Sequence, residues 1–125
     1  MSTRATVRFA TREEGVSFSE HPKKWHAQFY VHCDGYPEGL GADITDSMLS
    51  NTKLVGWELE HIDVIHADIE YVYYIWQDHG KPMWVSIFEV NGWPCDGSCI
   101  YVGTPEMLQK SILRGFHVPQ TKHEH

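Results

Sequence analysis

The stretch from His32 to Gly41 places the strictest backbone demands on this chain. It reads His-Cys-Asp-Gly-Tyr-Pro-Glu-Gly-Leu-Gly and so holds three glycines and one proline. Glycine reaches backbone conformations closed to other residues, and proline fixes its own φ angle, so both favour turns. An alternating apolar segment precedes the stretch. The pattern therefore predicts that a strand ends here and that the chain changes direction before a helix.

Two segments before this stretch alternate between apolar and polar residues, as half-buried strands do. They are Ala5 to Thr11 and Trp25 to His32. The connection between them is polar and too short for a crossover helix. We therefore expect the two strands to pair antiparallel.

Two short amphipathic helices are predicted. The first covers Ala42 to Asn51, and its core-facing residues are expected to be Leu40, Ile44, Met48 and Leu49. The second begins at Thr104-Pro105-Glu106, which combines a capping hydroxyl, a proline at the first helical position and an acid in the first turn. Its core-facing residues are expected to be Met107, Leu108, Ser111 and Ile112, with an end at Gly115 and a frayed tail over 119–125.

The segment from Asp68 to Gln77 has large apolar side chains on both faces and predicts a central strand. Turn residues then favour a hairpin with Met83 to Val90, and Trp93 to Val102 suits an edge strand or a flap. Lys53 to His66 fits either a helix or a strand, and we prefer the strand. The sequence thus predicts one α+β domain over residues 1–125, with a mainly antiparallel sheet of about five strands and two helices packed on one face.

Charge and hydropathy narrow the range of functions. The formal net charge of −7 disfavours nucleic acid as a partner, because phosphate backbones are repelled. No apolar run approaches the roughly 20 residues that a membrane span needs. Three cysteines are an odd number, which favours reduced thiols over a secreted disulfide framework. We therefore expect a cytoplasmic protein that binds neither nucleic acid nor membrane.

A first candidate site lies in the glycine-rich stretch itself, where an imidazole stands close to two carboxyls and a phenol. These residues, His32, Asp34, Tyr36 and Glu38, could hold a ligand or a metal or perform acid–base chemistry. The alternative is structural: Asp34 closes a turn, Glu38 caps the following helix and Tyr36 packs against its neighbours. Turn chemistry explains every member except the histidine.

A second candidate site is formed by the cysteines. Cys95 and Cys99 are separated by a tight turn. They could bind zinc if Cys33 were the third ligand and His32 the fourth. That arrangement requires the C-terminal flap to fold over the glycine-rich stretch. A reversible disulfide between Cys95 and Cys99, or three plain thiols without a cofactor, are the alternatives.

The third candidate is an aromatic face of the sheet. Tyr30 on one strand and Trp76 on another share this face with other aromatic and polar residues, namely His26, Gln28, Tyr71 and either Tyr73 or Tyr74. Aromatic side chains mixed with polar ones are typical of protein interfaces. The alternative is a second layer of core covered by the segment Lys53 to His66.

Three motifs also suggest a resemblance. The chain has a strand that ends Tyr-x-His at Tyr30 to His32, the block Asp-Gly-Tyr-Pro-Glu-Gly at Asp34 to Gly39, and an Ile-Glu-Tyr-x-Tyr strand at Ile69 to Tyr73. In these it resembles a group of small uncharacterised proteins of bacteria, archaea and phages, over about a third of its length. That group has no assigned activity, so the resemblance implies no catalytic residue. Its frequency on mobile elements suggests an accessory protein that binds a host or phage component.

The sequence therefore favours a non-enzymatic binding protein with a protein partner, acting through the aromatic face or the glycine-rich stretch, with a homodimer as one form. The alternative is a small metal- or ligand-binding protein, conceivably an enzyme, built on His32, Asp34, Glu38 and the cysteines.

Overall fold

The computed structural model describes residues 3–11, 17–32, 35–50, 57–78, 81–90 and 97–114. It contains a sheet of strands β1 (Ala5–Thr11), β2 (Ala27–Val31), β3 (Trp57–Glu60), β4 (Tyr71–Asp78), β5 (Lys81–Glu89) and β6 (Ser98–Gly103). A turn of π-helix, Pro37–Gly41, leads into helix α1 (Ala42–Ser50), and helix α2 (Pro105–Leu113) follows β6.

The six strands form one mixed sheet in the order β3-β2-β1-β4-β5-β6. β1 pairs antiparallel with β2 but parallel with β4, and the other neighbours pair antiparallel. The α+β class with two helices is confirmed, whereas the prediction of about five mainly antiparallel strands is wrong. The reason is the connection over residues 61–70. It carries the chain from β3 past β2 and β1, so that β4 lies beside β1 and runs in the same direction.

Most predicted strands are present, with changed ends. β1 has the predicted bounds, β2 is shorter than predicted, and β4 and β5 form the expected antiparallel pair. The strand preferred for the ambiguous segment is confirmed only over Trp57–Glu60, and residues 51–56 lie outside the described part of the chain. β6 lies at one edge of the sheet, as predicted.

Both helices pack on one face of the sheet. Leu40, Ile44 and Leu108 are almost fully buried there against β1, β4 and β5. The prediction that Leu49 and Met107 face the core is wrong, because their exposed fractions are 38% and 48%. The helical rotation of about 100° per residue places these two side chains away from the sheet.

The glycine-rich stretch is attached to the start of β1. The amide of Gly35 donates to the carbonyl of Thr3 at 2.9 Å. A Cβ atom at Gly35 would lie 2.7 Å from the Cβ of Ala5, so only glycine fits this close approach. The hydroxyl of Tyr73 donates to the Gly35 carbonyl at 2.7 Å. This part of the stretch therefore has a structural role.

We expect Tyr73→Phe to lower the free energy of unfolding by about 1–2 kcal/mol at neutral pH, because the buried Gly35 carbonyl loses its donor. Burial also raises the pKa of Tyr73 well above its usual value, so the folded state holds this proton more tightly than the unfolded state does. Tyrosine therefore contributes stability below about pH 10 that is lost as the pH rises further. The variant should lose less stability in that alkaline range.

Urea denaturation at several pH values measures both effects. Tyr36→Phe is the control, because Tyr36 is 39% exposed. We expect it to change the free energy of unfolding by less than about 0.5 kcal/mol. Equal effects of the two substitutions would show that the Tyr73 bond does not hold the glycine-rich stretch.

Candidate ligand-binding cleft

The second face of the sheet is also buried. Tyr74, Trp76 and Phe88 have exposed fractions of 0%, 1% and 2%, and Tyr30 is 7% exposed. They form a cluster with Ala10, Ile69 and Val72. The aromatic face is therefore a second core layer, the alternative that the sequence left open.

Two irregular segments cover this face, residues 17–26 and residues 61–70. Phe18 of the first stacks on Trp84 with ring centroids 5.0 Å apart. The Phe18 carbonyl accepts a hydrogen bond from Ser86, which itself accepts one from the Trp76 indole at 2.7 Å. In the second segment His66 stacks on Tyr30, with centroids 3.9 Å apart.

A cleft of about 300 Å³ opens between the two covering segments. Its floor is the sheet, and its walls combine basic, aromatic and aliphatic side chains. The lining residues are Thr6, Arg8, His21, Pro22, Lys23, Trp25, Ile65, His66, Ile69 and Tyr74. Sites for small molecules commonly have this composition, a mainly apolar wall with a few placed polar groups.

Arg8 is the central group of the cleft. It projects from the middle of β1 and is half-buried. Its Nε donates to Gln28 Oε1 at 2.9 Å, and its Nη1 donates to the Tyr74 hydroxyl at 2.8 Å. The guanidinium carbon lies 3.9 Å from the ring centroid of Trp25, a cation–π contact. These three partners hold the guanidinium in one orientation.

Gln28 connects the cleft to β3 and the second covering segment. Its side-chain oxygen accepts from Arg8 and also from the indole of Trp25 at 3.0 Å. Its amide nitrogen donates to Glu60 at 2.6 Å and to the carbonyl of Val64 at 2.8 Å. Gln28 is fully buried and all its polar atoms are bonded. A network satisfied in this way is rigid.

Tyr74 lies between Arg8 and His21. Burial raises the pKa of Tyr74, and the Arg8 guanidinium opposes that shift. The phenol is therefore protonated at neutral pH. Because its oxygen accepts from Arg8, its proton is free to be donated to Nδ1 of His21, 2.8 Å away. His21 also stacks on Phe88 with centroids 4.0 Å apart.

Cationic side chains line the cleft, although the chain as a whole is acidic. Arg8 and Lys23 line it, and no Asp or Glu is among the lining residues. Four ion pairs join described side chains, and none of them includes Arg8. Arg4, four residues earlier in the chain, does have a carboxylate partner, because its Nε lies 3.3 Å from a carboxylate oxygen of Asp68. Within the described ranges Arg8 is thus a half-buried cation without a carboxylate.

No hydrogen bond or ion pair joins the described members of the predicted glycine-rich site, His32, Tyr36 and Glu38, to one another. His32 contacts Glu58 of β3, and both side chains are largely exposed. Glu38 acts electrostatically on Tyr71. Burial is the largest cause of the raised pKa of Tyr71, and the negative charge of Glu38 is the second. Tyr36 is exposed, and Asp34 lies outside the described residues.

The zinc hypothesis stays a prediction. Cys33 and Cys95 lie outside the described residues. Cys99 is on β6, where its thiol donates to the Tyr101 carbonyl at 3.5 Å and burial raises its pKa. The part of the chain that the structure describes has no group of three or more metal-ligating side chains.

Sequence reasoning missed Arg8, His21 and Trp25. The alternation of β1 assigns Arg8 to the polar face, and a lone arginine there has the pattern of a solvent-exposed residue. Residues 17–24 carry no regular periodicity, so nothing in the sequence indicates that they fold over the sheet. The alternation of Trp25 to His32 assigns Trp25 to the face opposite Gln28. Gln28 lies on the aromatic face as predicted, and so does Tyr74, one of the two alternatives. The assignment of Tyr71 to this face is wrong, and so is the alternative Tyr73, because both pack in the cluster on the helix side.

No family model, curated protein or solved structure matches this chain. The resemblance based on Asp34 to Gly39 and Ile69 to Tyr73 therefore stays a prediction. Among the described residues, no helix is both long enough and apolar enough to cross a membrane.

We expect Gln28→Leu to lower the free energy of unfolding by about 2–4 kcal/mol, because the donors of Arg8 and Trp25 and the Val64 carbonyl lose their partner in a buried position. Urea denaturation measures the change. Gln109→Leu on the partly exposed face of α2 is the matched control and should change it by less than about 0.5 kcal/mol. A loss of under about 1 kcal/mol for Gln28→Leu would contradict a stabilising network here.

Proposed function

We propose that this protein is a binding protein whose ligand is a small oxyanion-bearing molecule, a carboxylate or phosphate with an apolar portion, held in the cleft on the aromatic face. The observation that carries this proposal is Arg8. A cation removed from water is costly unless an anion accompanies it. Among the described residues no carboxylate fills that role.

The geometry of Arg8 supports an oxyanion rather than a neutral ligand. The Arg8 Nε–H donates to Gln28, and one N–H of Nη1 donates to Tyr74. The remaining N–H groups of the guanidinium have no acceptor in the described part of the chain. Guanidinium groups with adjacent free donors bind carboxylates and phosphates through paired hydrogen bonds. Because the arginine is already oriented, binding loses little side-chain entropy.

The remaining walls favour a ligand with an apolar portion. Ile65, Ile69 and the ring of Trp25 line the same cleft, and Lys23 stands exposed at its rim. The volume of about 300 Å³ lies at the small end of ligand sites in proteins. A single ring or short chain with one anionic group matches both the size and the lining.

Isothermal titration calorimetry with benzoate and with inorganic phosphate tests the proposal, and benzamide serves as the neutral counterpart of benzoate. We expect an anion to bind the wild-type protein and benzamide not to bind. Arg8→Met should weaken anion binding at least about tenfold, since a charge-assisted pair contributes about 1.5–3 kcal/mol. Binding should also weaken as salt is added.

Arg4→Met is the matched control, because Arg4 immediately precedes β1 and does not line the cleft. It should change the dissociation constant less than about twofold. Urea denaturation of both variants establishes that they are folded. If neither anion binds the wild-type protein, or if Arg4→Met weakens binding as much as Arg8→Met, the cleft is not an oxyanion site.

A further inference from the structure

β3 forms one edge of the sheet. It pairs with β2, and no described strand pairs with its other side. Glu58 and Glu60 lie opposite Tyr30 and Gln28 of β2, so their side chains are on the aromatic side of the sheet. The alternation places Trp57 and Leu59 on the helix side. An exposed edge of this kind offers backbone donors and acceptors to another strand.

Exposed apolar side chains are concentrated at this edge. Eight large hydrophobic residues of the described chain are exposed, and four of them fall between residues 59 and 65. Leu59 is the second most exposed of all eight at 71%, and the other three are Ile62, Val64 and Ile65. A shallow depression of about 510 Å³ beside β3 is lined by three apolar residues, Ala27, Leu59 and Ile62, and by three polar ones, His26, Glu60 and His61. Clustered exposed apolar groups mark interaction surfaces.

The same edge is strongly acidic. Residues 57–66 contain no lysine or arginine, and they contain three acidic residues, Glu58, Glu60 and Asp63. The Glu58 and Asp63 side chains are 61% and 85% exposed and contact His32 and His61. Glu60 is 14% exposed and is bonded to His66 and Gln28, so Glu58 and Asp63 are the accessible carboxylates. An acidic and apolar edge is complementary to a segment in which basic and apolar residues alternate.

The geometry points to β3 as the docking edge for an extended, basic segment of a partner protein, which adds to the sheet as a seventh strand. Its basic side chains lie on the side of Glu58 and Glu60, and its apolar side chains lie beside Leu59 and the neighbouring depression. Main-chain hydrogen bonds supply affinity in this mode of recognition, and the alternating side chains supply specificity.

Charge argues against a second copy of the chain as the occupant. Directly opposite residues of an antiparallel pair share a face of the sheet. Two β3 strands paired in that way would place Glu58 and Glu60 opposite their own counterparts or opposite each other. Like charges in such positions destabilise the pair. A basic partner converts the same positions into attractive pairs.

An eight-residue capped peptide of alternating lysine and valine is a direct probe. We expect it to bind the full-length protein and to shift the amide NMR signals of residues 57–60. Leu59→Lys should weaken binding at least about tenfold, because it places a positive charge in the apolar part of the edge. Leu113→Lys, a substitution of an 80% exposed leucine on α2, should leave binding unchanged.

Two further peptides distinguish the mode of binding. A glutamate–valine peptide of the same length should not bind, and a lysine–valine peptide with N-methylated alternate amides should bind at least about tenfold more weakly, because the edge loses its hydrogen bonds. The proposal is overturned if Leu59→Lys binds as the wild type does, or if the methylated peptide binds equally well. Sedimentation velocity tests the alternative occupant. If the wild-type protein self-associates and Leu59→Lys abolishes that self-association, the proposal is overturned in favour of a second copy of the chain.

Discussion

The structure depends on the burial of β4 on both faces. Tyr73 and Ile75 face the helices, Tyr74 and Trp76 face the other side, and all four are at most 2% exposed. A strand of this kind needs a covering layer on each side of the sheet. Two helices form one layer, and irregular chain forms the other. The central position of β4, between β1 and β5, follows from the same requirement.

The irregular layer explains why a cleft exists on the aromatic face. Helices α1 and α2 pack closely and bury Leu40, Ile44 and Leu108. Segments 17–26 and 61–70 instead reach the sheet through individual contacts, such as the hydrogen bond from Ser86 to the Phe18 carbonyl and the stacking of His66 on Tyr30. The cleft is the space between these contacts, and polar side chains of the sheet, such as Arg8, line it. Chain segments without regular structure commonly carry binding residues for this reason.

The two proposed surfaces share residues 60–66. Gln28 reaches through the sheet edge to Glu60 and to the Val64 carbonyl, and Glu60 pairs with His66 at 2.7 Å. Ile65 and His66 line the cleft, whereas Leu59 and Ile62 line the depression beside β3. The proposed edge and the proposed cleft therefore border one connected set of hydrogen bonds. The strongly acidic character of the edge and the basic lining of the cleft keep the two surfaces chemically distinct.

Local pattern in the sequence determined the α+β class, most strands, both helices and the β4–β5 hairpin, because alternation, capping residues and turn residues act over a few neighbouring positions. It also indicated that Gln28 and Tyr30 share a face. Only the tertiary structure decided the parallel pairing of β1 with β4, since that pairing depends on where residues 61–70 cross the sheet. The same holds for the glycine-rich stretch: its density of turn residues was visible, but the close approach of Gly35 to Ala5 was not. Arg8 became a candidate for function only through residues distant in sequence. Its surroundings, Trp25, Gln28 and Tyr74, are assembled by folding, and no pattern along the chain records them.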